Sequence, residues 1–265
     1  MRTSTRLGLA LVSAVMIDGC GSSAASASQA PSPAQGRPED TEVWSPVPPV
    51  VRPGATDDQP PSDAIVLFDG RNLDEWVAKD GSPAGWTVAN GVVTVNKSTG
   101  DIRTRRTFTD YQLHIEWRIP ENITGTGQAR GNSGVYLASA ENGQGYELQV
   151  LDSYNNSTYV NGQAGALYKQ HPPLVNAMRP PGQWQVYDIL WTAPRFNADG
   201  SLRSPGYVTA FHNGVLIQNH AELRGNTLYI GKPSYKAHGA SPILLQSHGD
   251  PSEPISYRNI WLRQL

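Results

Sequence analysis

Cysteine is nearly missing from this chain: Cys20 is the only one in 265 residues. An internal disulfide and a cysteine-built metal site are therefore excluded. An excess of one charge is missing too, with 21 Lys and Arg against 23 Asp and Glu. The one tight basic group, Arg103, Arg105 and Arg106, has no wider basic stripe around it, so no nucleic-acid partner is expected. Beyond residue 17 no apolar run is long enough for a membrane-spanning helix, and no repeat period points to a solenoid. Helical periodicity is scarce.

What is present starts with a leader. Arg2 and Arg6 precede a short apolar run from Leu7 to Ile17, which ends at Asp18-Gly19-Cys20. This resembles a bacterial lipoprotein signal, with residues 1–19 removed and acyl chains carried on Cys20. Asp18 departs from the small or apolar residue usual at that place, and a plain secretory signal with an incidental cysteine is the alternative. Gly21 follows, where Asp is the usual inner-membrane retention signal. The resemblance thus implies a lipid anchor in the cell envelope, at the outer membrane facing the periplasm or the exterior. Residues 20–61 are rich in Ser, Ala, Pro and Gly and read as a linker, leaving residues 62–265 for one domain.

That domain alternates like β-structure. Strands are expected over Ala64–Phe68, Trp86–Val88, Val92–Val95, Tyr111–Ile119, Gly134–Ala138, Tyr146–Leu151, Trp184–Thr192, Tyr207–Phe211, Val215–Gln218, Ile243–Ser247 and Ile255–Leu262. Asn90-Gly91 and Asn213-Gly214 are hairpin turns by composition. So many short strands imply an all-β sandwich or barrel of antiparallel sheets. On Tyr146–Leu151, Tyr146, Leu148 and Val150 point one way and Glu147 and Gln149 the other. His114, Glu116 and Arg118 share one side of Tyr111–Ile119, and Leu244, Gln246 and His248 one side of their strand. These polar sides meet in one groove only if their strands are neighbours.

Eight segments carry a resemblance. They are LFDGRNLDEW (Leu67–Trp76), GNSGVYL (Gly131–Leu137), YELQVLD (Tyr146–Asp152), GALY (Gly165–Tyr168), GQWQVYDI (Gly182–Ile189), HNG (His212–Gly214), ILLQSHG (Ile243–Gly249) and YRNIWLRQL (Tyr257–Leu265). Their order and content resemble the 3-keto-disaccharide hydrolase domain, over essentially Ile65 to Leu265. The resemblance implies a concanavalin-like jelly roll of two antiparallel sheets, and an enzyme that cleaves glycosides oxidised at the 3-hydroxyl. Such a keto group acidifies the C2 proton. A base can remove it, the C1 leaving group is eliminated, and water can add back. A base near C2, a donor at the 3-oxygen and an acid at the leaving oxygen are required.

Glu147, His248 and Glu116 are the candidate catalytic groups. Gln149, Gln246, Asn132, Arg118, His114, Tyr168 and Arg258 are the candidate substrate-binding residues. Each has a plainer alternative: a solvated sheet residue for Glu147 and Gln149, a turn-stabilising histidine for His248, a cross-strand salt bridge for Arg118, an Asx-turn for Asn132. Asp152 reads as a turn cap. Trp117 and Trp184 fit the core pattern, whereas Trp76, Trp86 and Trp191 are unassigned. No metal-ligand spacing such as His-Glu-x-x-His occurs; no cofactor is expected, and a divalent ion at the 3-oxygen stays open. Two other functions compete. One is a non-catalytic carbohydrate-binding lipoprotein on the same fold. The other is an ordinary retaining glucanase, which needs paired carboxylates on alternate positions. Gln149 and Leu151 follow Glu147 there, which argues against it.

Overall fold

The computed structural model describes residues 36–139 and 145–265. The expected leader at 1–19 and lipidation at Cys20 fall outside the described residues. The chain divides into a unit ending at Pro49 and a larger unit, Val50–Leu265. The described part of the first holds one 3-10 turn, Pro38–Thr41. The second begins earlier than composition suggests, since residues 50–61 belong to it. The Asp58 carbonyl accepts hydrogen bonds from Asn259 Nδ2 at 2.8 Å and Trp261 Nε1 at 3.1 Å, which ties this segment to the last strand.

The strands are β1 Ile65–Phe68, β2 Trp76–Ala78, β3 Thr87–Ala89, β4 Val92–Thr94, β5 Ile102–Thr104, β6 Tyr111–Arg118, β7 Ser133–Ser139, β8 Gly145–Val150, β9 Trp184–Thr192, β10 Arg195–Phe196, β11 Leu202–Ser204, β12 Tyr207–His212, β13 Val215–Glu222, β14 Leu244–Leu245 and β15 Ser256–Gln264. Eight form one sheet, ordered β13-β12-β9-β6-β15-β4-β3 with β1 also paired to β15. Five form a second, ordered β2-β5-β14-β7-β8, and β10 and β11 make a small hairpin. Every pairing is antiparallel. The fold is the expected jelly-roll sandwich.

The sheets meet through the apolar side of each alternation. Leu113, Ile115 and Trp117 of β6 pack in one core with Val135 and Leu137 of β7 and Tyr146, Leu148 and Val150 of β8. Polar tips within the core find partners across it. The Tyr187 hydroxyl donates to the Gln149 carbonyl at 2.8 Å, and the Ser133 and Tyr257 hydroxyls lie 2.8 Å apart. Both Asn-Gly pairs turn hairpins with left-handed backbone, φ 53° and 77° at Asn90-Gly91 and 54° and 80° at Asn213-Gly214.

β8 departs from a half-solvated strand, because all six of its residues are buried. Segment 165–168 runs along its outer edge, with Gln149 N–H donating to Ala166 O at 2.9 Å and Tyr168 N–H to Glu147 O at 3.1 Å. On its polar side, the loop around Thr227 reaches Glu147, whose backbone N–H donates to Thr227 Oγ1 at 3.0 Å.

Candidate active site

The outer face of the five-stranded sheet carries a cleft. Glu147 and Gln149 project into it from β8, and Tyr136, the pairing partner of Glu147, from β7. Asn132 enters from the start of β7, Gln246 and His248 from the chain beyond β14, and Tyr168 from the segment that covers β8. Thr227 and Tyr229 close it from the loop after β13. The cavity is about 190 Å³. At about 30 Å³ per water that is the space of roughly six waters, the scale of one sugar ring.

Glu147 is buried. Its Oε2 accepts from the Tyr136 hydroxyl at 3.2 Å, and the Tyr136 hydroxyl accepts from Gln246 Nε2 at 3.4 Å. Burial pushes its carboxyl up to about 8, partly offset by the Tyr136 hydrogen bond and reinforced by the Asp101 carboxylate. At neutral pH the group is therefore mostly a carboxylic acid, a donor rather than a base. Gly134 leaves the room for it: a Cβ there would lie 2.4 Å from Glu147 Oε1.

The amides around Glu147 are ordered by each other. Gln149 Nε2 donates to Asn132 Oδ1 at 3.0 Å, and Asn132 Nδ2 to the Gln128 carbonyl at 2.8 Å. Gln149 Oε1 and Gln246 Oε1 are buried acceptors with no hydrogen-bond partner among the described residues. Buried acceptors normally have one, so these two suit ligand hydroxyls. At the mouth, the Tyr159 and Tyr168 hydroxyls lie 2.6 Å apart, and the Lys169 ammonium sits 4.2 Å from the centre of the Tyr229 ring.

His248 is held by an acid. Its Nδ1 lies 3.0 Å from Asp250 Oδ2. Burial works against ionised Asp250, but His248, Ser252 and Lys97 outweigh it and hold its carboxyl at about 2. Nδ1 also lies 3.2 Å from the Asp250 backbone N–H, and the tautomer that donates Nδ1–H to the ionised carboxylate is the one that leaves the Nε2 lone pair free. Lys97 stands 3.3 Å from the other oxygen of Asp250. A histidine oriented in this way by a carboxylate is a competent base.

The cleft thus brings together Glu147, His248, Gln149, Gln246, Asn132 and Tyr168 of the sequence candidates. It does not include Glu116, His114, Arg118 or Arg258. β6 and β15 belong to the eight-stranded sheet, and these side chains lie on the outer side of that sheet. Glu116 accepts from Arg258 Nε at 2.6 Å and from Asn259 Nδ2 at 2.8 Å. Burial disfavours its charge, yet His114, Asn259 and Arg258 hold its carboxyl at about 2. His114 bonds Asp188 through Nδ1 at 2.7 Å and stacks on Trp261 at 5.0 Å. Burial opposes its charge as well, but Asp188 and Glu116 prevail and raise the ring to about 9. Arg118 and Arg258 both stand over Trp184, at 4.6 and 4.1 Å. Trp184 is thus a half-buried platform for two arginines, not a core residue, while Trp117, Trp76, Trp86 and Trp191 are core. Asp152 does cap a turn, accepting from Tyr154 N–H at 3.0 Å, and it also pairs with Arg130 at 2.7 Å.

Sequence reasoning passed over Tyr136, Asp250, Lys97, Thr227 and Tyr229. Tyr136 was within reach, since it alternates with Val135 and Leu137. Asp250, two residues after His248, was a second available signal. Thr227 and Tyr229 lie in a loop without periodicity. Among the described residues no three His, Cys, Asp or Glu side chains are grouped to hold a metal ion.

Comparison with known proteins supports the fold and the carbohydrate-active class. A solved structure of a putative glycosyl hydrolase from Parabacteroides distasonis ATCC 8503 is 57% identical to this chain, with a TM-score of 0.82, covering 86% of this chain and 97% of the other. A second structure with the same description and organism is 21% identical with a TM-score of 0.55, covering 77% and 94%, and shows the shared fold alone. Among curated proteins nothing matches. The model of the 3-keto-alpha-glucoside-1,2-lyase-like domain matches residues 63–263, and the chain belongs to that family.

Proposed function

We propose that this protein is a carbohydrate-active enzyme that cleaves the glycosidic bond of 3-keto-glycosides by C2 deprotonation and elimination. The observation that carries this is that a buried Glu147, its carboxyl pushed up by burial, and an Asp250-bonded His248 line one sugar-sized cleft. Family membership supports the substrate class.

In this reaction His248 Nε2 takes the C2 proton. The C2–H electrons form a C2=C3 enolate, and Glu147 donates its hydrogen bond to the oxygen at C3. The enolate then collapses to C3=O, C1=C2 forms and the C1–O bond breaks. The leaving oxygen takes a proton from the imidazolium. Water adding at C1, with a proton returning to C2, makes the net change a hydrolysis. Gln149, Gln246 and Asn132 hold ring hydroxyls, and Tyr136 fixes Glu147. A neutral acid as enolate donor avoids burying a second negative charge beside the first. A binding module would gain nothing from a buried carboxyl that has no cationic partner, which favours the enzyme over the lectin-like alternative. In the cell the same proposal puts the domain in the envelope, tethered through Cys20.

The test is cleavage of a 3-keto-glucoside and of its unoxidised parent, with the full chain and with His248→Ala. Turnover of the keto substrate alone is expected, reduced about 10²–10⁴-fold in the variant. Binding of both sugars with turnover of neither would favour a carbohydrate-binding module instead.

A further inference from the structure

A second cavity, of about 500 Å³, is larger than the cleft and chemically unlike it. Val77, Arg103, Arg105, Ser139, Lys236 and His238 are among the residues that line it. Its charge has one sign, for no Asp or Glu is present in the lining among the described residues. The Arg103 guanidinium and the Lys236 ammonium have no hydrogen-bond or ion-pair partner among the described residues. Arg105 Nε donates to the Asp74 carbonyl at 2.6 Å, and Arg105 and Lys236 are exposed while Arg103 is half-buried. Neighbouring Arg106 is different, since it pairs with Glu75 at 3.0 Å. His238 is a wall, its ring nitrogens engaged by the Tyr146 hydroxyl at 2.9 Å and the Gly239 carbonyl at 2.8 Å. A half-buried guanidinium without a counter-charge is unfavourable unless a ligand brings one.

The cavity shares a surface with the cleft. Arg103 pairs with Leu244, Leu244 with Tyr136, and Tyr136 with Glu147. Directly opposed residues of antiparallel strands point to the same side. Arg103 and Glu147 therefore stand in one row on the outer face of the five-stranded sheet. Three strand spacings of about 4.8 Å separate them by about 14 Å, within reach of one extended glycoside.

We propose that this cavity is an oxyanion subsite, which binds a carboxylate, sulfate ester or phosphate ester on the part of the glycoside beyond the ring at Glu147. Arginine forks suit planar oxyanions, and Lys236 adds a point charge. The inference rests on reading the cleft as a glycoside site.

Calorimetric titration tests it, on the full chain carrying His248→Ala so that substrates persist. The probes are 3-keto-cellobiose, its counterpart with a uronate as the unoxidised ring, and sodium sulfate. The uronate probe is expected to bind about tenfold more tightly than the neutral one, as charge-assisted hydrogen bonds would give. That advantage should shrink with added salt and vanish when Arg103→Ala and Lys236→Ala are added. Unchanged affinity for the neutral probe shows that the added changes leave the fold intact. Equal binding of both sugars overturns the subsite and leaves the cleft assignment standing. Sulfate binding that depends on Arg103, with no binding of either sugar, overturns both the cleft assignment and the substrate subsite, leaving a site for free anions.

Discussion

Glu147 concentrates the chemistry at the scale of single residues. A carboxyl held at about 8 is a donor below that pH and loses its proton above it. As a donor to the enolate, it requires kcat/KM to fall as pH rises through about 8. Glu147→Gln, which keeps an N–H donor, should lose that alkaline limb while retaining part of the rate. Glu147→Ala should lose about 10²–10³-fold, the usual cost of an oxyanion donor. Stability carries the same sign. The folded value lies above the ordinary 4.5, so the contribution is full below 4.5 and is lost as pH rises through about 8. Melting curves should therefore show Glu147→Gln gaining on the parent at pH 9 and not at pH 4. Gly134→Ala is the second residue-scale test. Its Cβ would collide with Glu147 Oε1, so kcat should fall with circular dichroism unchanged. Glu147 itself could be picked out from the polar parity of β8. Its protonation could not, because burial depends on a distant loop at Thr227 and on the segment at 165–168.

Strands show where sequence parity stops. Alternation in β6 correctly put His114, Glu116 and Arg118 on one side, and the Asn-Gly turns fixed two hairpins. Parity defines a face but not the sheet to which a strand belongs. β6 lies between β15 and β9, so its polar side joins Arg258, Asn259 and Asp188 instead of Glu147. Strands β2, β5, β10 and β11 were missed because two or three residues are too few for a period, whereas the equally short β3 and β4 were marked by the Asn90-Gly91 turn between them. The Glu116 cluster is structural on this arrangement. Glu116→Gln should lower stability by about 1–3 kcal/mol, through a weakened buried charged hydrogen bond, and leave kcat/KM unchanged. The pH window follows from the two partners. Glu116, depressed to about 2, contributes above 4.5 and loses its contribution as pH falls through 2. His114, raised to about 9, contributes fully below 6.5 and loses its contribution as pH rises through 9. The cluster's contribution is thus complete between about 4.5 and 6.5. The melting-temperature difference between Glu116→Gln and the parent should be largest there.

For the large unit as a whole, the ordering of strands decides where chemistry can occur. Glu147 is far in sequence from Gln246 and His248, and the β14-β7-β8 order of the second sheet brings them together. No local pattern states that order; the resemblance implies two antiparallel sheets but not which strands are neighbours, so Glu116 stands with Glu147 among the sequence candidates although β6 lies in the other sheet. Composition also set the start of the domain too late, since a Pro-rich segment can still bond to a strand through its carbonyls. A chain starting at Val50 should melt several degrees above one starting at Asp63, which lacks the Asp58 bonds to Asn259 and Trp261.

The most direct test of the central claim is the fate of the hydrogen at C2. A 3-keto-glucoside would be cleaved in D₂O, with an enzyme-free control for spontaneous exchange, and the released 3-keto sugar examined by NMR. Elimination followed by water addition requires deuterium at C2 of every product molecule above that control. Product that keeps its original C2 hydrogen would contradict C2 deprotonation and leave direct displacement at C1 as the reaction.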